Sequence, residues 1–112
     1  MIDVQELEGG LTKVILSGRI DFAGAQAIDA PMKAVASSSK SVVIDLSAVD
    51  FIASMGLRIL IMCAKTIHSR SGRVVLLGAK KGVADVIHMS GVDELIPVFD
   101  AEADAISAAV PA

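Results

Sequence analysis

Hydrophobic and polar positions divide the chain into short elements. Ile2–Leu7 and Thr12–Ser17 read as strands, and Gly9-Gly10 between them reads as a turn, so the two form a hairpin. Gly18–Asp21 follows as a loop. Over Phe22–Ala36 the apolar positions Ile28, Met32 and Val35 return at helical spacing, with Pro31 expected to kink or divide the helix. Ser37–Ser41 is a polar connection.

Val42, Val43 and Ile44 form an unbroken β-branched run, the pattern of a parallel strand buried on both faces, with Asp45 at its C-terminal end. A loop carries the chain to Phe51 and Ile52. A second helix is predicted from Ser54 to about Ser71, ended by Gly72. Val74–Leu77 is another buried strand, Lys81–Met89 a third helix closed by Gly91, Ile96–Val98 a short last strand and Ala101–Ala109 a last helix. Strands and helices alternate after the hairpin. The pattern predicts an α/β fold with a mixed, mostly parallel sheet of roughly four to five strands, an antiparallel hairpin at its edge and about four helices. No repeat or second domain is visible, so 1–112 reads as one domain.

The second helix carries more apolar residues than one buried face needs. Leu57, Leu60, Ile61, Ala64 and Ile67 make the core stripe. Arg58, Met62, Lys65 and Ser69 lie opposite, and Met55, Ile59 and Met62 form a second ridge. That ridge is either a contact surface or packing beneath the third helix or a loop. Ser54 is placed as an N-cap, its hydroxyl accepting from the first turn. Asp21 is a candidate partner contact at the same sheet edge, or an N-cap for the first helix.

Composition narrows the functions. Apolar residues are 54% of the chain and charged residues 21%, which suits a packed core. The net charge of −3, with signs interspersed, excludes nucleic acid as the main partner, since phosphate binding needs a clustered basic surface. No Trp or Tyr and only 3 Phe leave few stacking platforms. The lone Cys63 has no partner for a disulfide or metal site and reads as a core residue in a reducing compartment. The start carries acids and no apolar leader segment, and the run Ile59–Ala64 is too short for a bilayer. A cytoplasmic protein with no membrane insertion is expected.

Candidate chemistry is sparse. His68 and His88 have no metal-spaced companions, so neither a metal site nor a cofactor is expected. Gly78-Ala79-Lys80-Lys81-Gly82 follows a strand but lacks the phosphate-loop pattern, and Lys80 and Lys81 read as a solvated turn. No nucleophile, base and orienting group occur together, so the chain is not expected to be an enzyme. A phosphate-accepting role for Asp45, as in receiver domains, needs an early acidic pair and a late-strand lysine that the chain lacks.

The segment VVIDLSAVDFIASMGLRIL, Val42 to Leu60, resembles the signature of the anti-sigma factor antagonist family, the STAS domain. In that pattern a buried strand is followed by Asp-Leu, a loop, an apolar residue, then Asp-Ser-Ser/Thr-Gly-Leu opening a helix. The matching residues are Asp45, Leu46, Phe51, Ala53, Ser54, Met55, Gly56 and Leu57. Gly18-Arg19-Ile20-Asp21 is similar to the family's segment before the first helix, and Leu95–Ala105 to its closing segment. The resemblance implies an anti-sigma factor antagonist, a binding switch in transcription regulation. Its partner is both anti-sigma factor and serine protein kinase, which phosphorylates the serine matching Ser54. A serine phosphatase is a further implied partner. The unmodified form binds, and the phosphorylated form lets go. Asp21, Ala53, Met55, Gly56, Arg58, Ile59 and Met62 are the expected partner-binding residues. Ala53 replaces the family's acid and Met55 its second hydroxyl residue, leaving Ser54 as the sole acceptor in the motif. The alternative is a non-switching STAS adaptor of a transporter or sensory complex.

Overall fold

The computed structural model describes residues 1–110. The elements are β1 (Ile2–Glu6), a short 3-10 turn (Glu8–Gly10), β2 (Leu11–Ile20), α1 (Phe22–Ser38), β3 (Ser41–Ile52), α2 (Ser54–His68), β4 (Val74–Leu77), α3 (Lys81–Met89), α4 (Val92–Leu95), β5 (Val98–Phe99) and α5 (Glu102–Ala109). The five strands lie in the order β1-β2-β3-β4-β5. β1 pairs with β2 antiparallel, and the other three pairings are parallel.

One face of the sheet packs against α1 to α4. Val14, Leu16, Ile44, Leu46 and Leu76 from the strands meet Ile28, Met32, Leu60, Ile67, Ile87 and Val92 from the helices. α5 covers part of the other face with two small residues, Ala105 and Ala109, set against Leu11, Val43, Val75 and Leu77. Small side chains let this short helix lie close to the strands.

Several boundaries differ from the sequence reading, each for a local reason. β2 and β3 run on through the stretches read as loops. After Leu46 the buried positions of β3 are Val49 and Ile52, spaced by three instead of two. Such spacing keeps one face inward only if the pairing slips. The register with β2 does shift, between Ile15 and Ser17 and again between Gly18 and Arg19. Gly18 has φ +83°, a left-handed conformation that suits an irregularity of this kind. The longer strands carry the chain to the sheet end where α1 and α2 begin.

Pro31 does not divide α1, which is one helix of 17 residues. Ile28, Met32 and Val35 anchor it on both sides of the proline, and that burial outweighs one missing N–H. α2 ends at His68, earlier than expected. The left-handed residue there is Ser71, at φ 64°, not Gly72. Gly72 is needed for a different reason: a Cβ would collide with the Lys40 carbonyl oxygen. Arg70 donates to the carbonyls of Ala36 and Ser39, tying the end of α2 to the end of α1. α4 was not expected, and β5 sits two residues later than the strand read at Ile96–Val98, because Ile96 is fully buried in the helix-side core.

Candidate functional site

The C-terminal ends of β2 and β3 deliver the starts of α1 and α2 to one end of the sheet. Their joint is short and direct: the Ala53 N–H donates to the Ile20 carbonyl at 2.9 Å. Gly56, in the first turn of α2, is buried against the sheet. A Cβ at Gly56 would lie 2.6 Å from Cγ2 of Ile20 and 2.9 Å from Cγ1 of Ile52. Glycine therefore brings the first turn of α2 onto the strand ends. Gly56 was expected as a partner contact; being buried, it acts by positioning its neighbours.

Ser54 is the first helical residue of α2, and Ala53 takes the N-cap position with no side-chain hydrogen bond. This corrects the capping role expected for Ser54. Its side chain is exposed and does not serve as the cap. The free N–H groups of this turn and the positive end of the helix dipole consequently face outward.

Asp21 differs. It is the N-cap of α1, and its Oδ1 accepts from the Gly24 N–H at 2.9 Å. Of the two roles open to it from sequence, the capping one is realised. Its Oδ2 lies 4.0 Å from Nε of Arg19, and the Arg19 guanidinium stacks over Phe51 at 4.5 Å from the ring centroid. Phe22 is 62% exposed, an unusual placement for a large apolar side chain. Asp50 accepts from Lys80 at 2.6 Å, and that hydrogen bond and charge hold its carboxyl below the usual range. Lys80 is thus engaged across the loop, not simply solvated.

The second ridge of α2 does not pack beneath α3 or a loop. Met55 and Met62 are 43% and 53% exposed, and with Ile59 and Arg58 they line a groove of about 420 Å³ between α2 and α1. The far wall is α1, through Ala25, Gln26, Asp29, Met32 and Lys33. Cys63 is buried at the groove's floor, and burial pushes its thiol up to about 11, so it stays protonated and unreactive at neutral pH.

The expected partner residues Ala53, Met55, Arg58, Ile59 and Met62 share the outer side of α2 with Ser54, while Asp21 stands at the start of α1. Sequence reasoning missed the α1 wall and the Arg19–Phe51 stack. Both join residues far apart in the chain, and local periodicity carries no signal of such contacts.

Other candidates resolve as structural. Asp45 Oδ1 accepts from the Ser47 N–H at 2.9 Å and its Oδ2 lies 3.9 Å from Lys13, so it orders its own strand's irregular stretch. His88 pairs with Asp93 through Nδ1 at 2.8 Å. Among the described residues no cluster of His, Cys, Asp or Glu suits a metal ion, and no helix is long and apolar enough to cross a membrane.

Comparison with known proteins agrees with this architecture. The STAS domain family model matches residues 2–105. The chain is 33% identical over 106 residues to BtrV of Bordetella bronchiseptica, a proposed anti-sigma factor antagonist, covering 91% of each chain. It is 30% identical over 99 residues to RsfB of Mycobacterium tuberculosis, an anti-sigma-F factor antagonist, covering 88% of this chain and 80% of that one. The crystal structure of an anti-sigma factor antagonist from Mycobacterium paratuberculosis superposes with a TM-score of 0.86 at 32% identity, covering 97% of this chain and 92% of that one. The family match, the aligned sequences and the shared fold agree: this chain belongs to the STAS domain family.

Proposed function

We propose that this protein is an anti-sigma factor antagonist that acts by binding, with Ser54 as its phosphorylation switch. In the unmodified state it binds an anti-sigma factor that is also a serine kinase, and the sigma factor is released. The kinase transfers the γ-phosphoryl group of ATP to the Ser54 oxygen, the hydroxyl proton leaves to a base, and ADP departs. The phosphorylated chain dissociates, and a serine phosphatase restores it. The observation that carries this reading is the exposed Ser54 on an uncapped helix start, bordered by the exposed Met55.

The physics supports a local switch. A phosphate adds about −1.5 to −2 charge at neutral pH. Free N–H groups and the helix dipole accept that charge, so the fold persists. In an interface built on Met55, the same charge must lose its water. Desolvation without a matched cation costs roughly several kcal/mol, enough to end binding.

The test is incubation with the partner kinase and ATP, mapping of the modified residue, and affinity of wild type, Ser54→Ala and Ser54→Asp for that partner. Phosphate on Ser54, binding by Ser54→Ala and loss of binding by Ser54→Asp is the expected result. A second reading, a non-switching STAS adaptor, is favoured by Ala53 and Met55, which replace the family's acid and second hydroxyl. Equal affinity of all three forms, with no phosphate on Ser54, identifies the adaptor.

A further inference from the structure

The two edges of the sheet differ. β5, at one edge, has two residues. β1, at the other, has five, and it pairs with β2 in an unbroken register. Natural sheets block a free edge with a bulge, a proline or a lysine, and β1 has none of these. Asp3, Val4, Gln5 and Glu6 are all exposed along it. Hydrogen-bonded and non-hydrogen-bonded positions alternate along an antiparallel pair, which identifies the backbone groups that β2 leaves free. The Ser17 N–H donates to the Met1 carbonyl at 2.9 Å, and the Leu7 N–H to the Leu11 carbonyl at 2.8 Å. Met1, Asp3, Gln5 and Leu7 therefore turn their backbone toward β2. Ile2, Val4 and Glu6 turn theirs outward.

We propose that a second copy of this chain pairs along β1, antiparallel and centred on Val4, joining the two sheets into one. That register lets Ile2, Val4 and Glu6 of each copy donate and accept across the edge. It sets Val4 against Val4, Met1 against Leu7, and Asp3 against Gln5 of the other copy. Gln5 already donates to Asp3 of its own chain at 3.3 Å, so this acid and this amide lie on one face of the strand. Glu6 falls opposite Ile2, and its carboxylate accepts from the Thr12 hydroxyl at 3.3 Å within its own chain. Other registers fit worse. Centred on Asp3, two carboxylates oppose each other. Centred on Gln5, Ile2 falls opposite the turn at Glu8 and loses its pairing. The strand is complementary to itself in one register, and that identifies the occupant of the edge.

The helix beside the edge does not resist the approach. Gln26, Asp29 and Lys33 of α1 face α2. The opposite flank, on the β1 side, carries the exposed Ala23, Ala27, Ala30 and Ala34. Alanines bring no charge to be desolvated and no long side chain to be displaced. Val4, 42% exposed in the single chain, is covered by its counterpart. The contact is small, so the dimer is weak and depends on concentration. α2 follows β3, which lies two strands in from this edge, so pairing leaves both copies of Ser54 open. On the antagonist reading above, the pair presents two switch sites, and a partner that is itself dimeric gains avidity.

Two measurements on the full chain test this. The first is sedimentation equilibrium of wild type, Val4→Pro and a control, Met89→Lys, which alters a residue 85% exposed on α3. The wild-type mass is expected to rise with concentration from 11.5 kDa toward twice that value. Proline at position 4 removes an N–H that faces away from β2, so the β1–β2 ladder survives and the far-UV circular dichroism stays that of wild type. Val4→Pro is expected to weaken association by about tenfold or more, and Met89→Lys not at all. A wild type that stays monomeric up to about 1 mM overturns the proposal. So does a dimer that Val4→Pro, folded as wild type, leaves intact. The second measurement is disulfide trapping under a glutathione redox buffer, which holds whether or not Val4→Pro folds. In the proposed register the two Val4 Cα atoms lie about 5.5 Å apart, within disulfide reach, and the two Glu6 Cα atoms are displaced by about 13 Å along the strand. Cys63 is buried, so the introduced thiol is the one that reacts. Val4→Cys is expected to give a covalent dimer and Glu6→Cys none. Equal trapping of both, or of neither, overturns the register. None of these readouts uses the kinase, so their failure leaves the Ser54 switch standing, and failure of the switch leaves the pairing standing.

Discussion

Two helices begin side by side at one end of this sheet, and they begin differently. α1 starts with Asp21, whose carboxylate accepts from the Gly24 N–H. α2 starts with Ala53, which has no such oxygen, and leaves the exposed Ser54 in the first turn. The first start is closed by its own side chain. The second is held only from beneath, by Gly56 against Ile20 and Ile52 and by the Ala53 N–H on the Ile20 carbonyl. An uncapped start is less stable, yet it keeps its N–H groups and dipole free for an added anion. The difference separates a helix start closed by its own side chain from one left open, which is what the proposed switch at Ser54 requires.

The comparison is easiest to break at the seat of α2. Gly56→Val inserts a branched side chain where even a Cβ meets Ile20 and Ile52, and a loss of about 1–3 kcal/mol is expected by denaturant unfolding. Wild-type stability there would mean that α2 is not held by close approach. Opening the closed start comes next: Asp21→Ala is expected to cost about 1 kcal/mol, read the same way. Closing the open start is the converse, and Ala53→Asp is expected to raise stability by about 0.5–1 kcal/mol. If Ala53→Asp is neutral while Asp21→Ala is costly, the two starts differ in more than their caps. Ser54→Asp places a charge in the same turn and is expected to add about 0.3–1 kcal/mol at low salt, falling as salt rises. A Ser54→Asp protein that is destabilised would contradict an anion-tolerant start.

The smallest expected effect is at a helix end of the opposite polarity. His88, in the last turn of α3, has its pKa raised by the hydrogen bond and charge of Asp93. A raised folded-state pKa means the pairing contributes fully below about 6.5, the unfolded value, and disappears as pH rises through the folded value. His88→Gln is therefore expected to lower the melting temperature slightly at pH 5.5 and leave it unchanged at pH 9. Equal effects at both pH values would assign the loss to packing.

Much of this was legible in the residues. The β-branched runs Val42–Ile44 and Val74–Leu77 announce central strands because a strand buried on both faces has no polar side to show. The hairpin and the Ser54–Leu57 helix start are local signals of the same kind. The continuation of β3 to Ile52 was not legible, because Val49 and Ile52 stay inward only through a register slip against β2. The continuity of α1 through Pro31 was hidden for a related reason, since burial on the sheet outweighs a local preference.

The sequence by itself determined the order of the strands and the longer helices, the central sheet and the serine at the head of the second helix, since all three follow from periodicity and short-range chemistry. Only the tertiary structure decided that Asp21 caps α1 while Ser54 stands uncapped, and that Met55, Ile59 and Met62 face α1 across a groove instead of lying beneath α3. Those outcomes depend on how two helices settle on one sheet. Helical periodicity assigns a residue to a face, but which neighbour occupies that face is set by long-range packing.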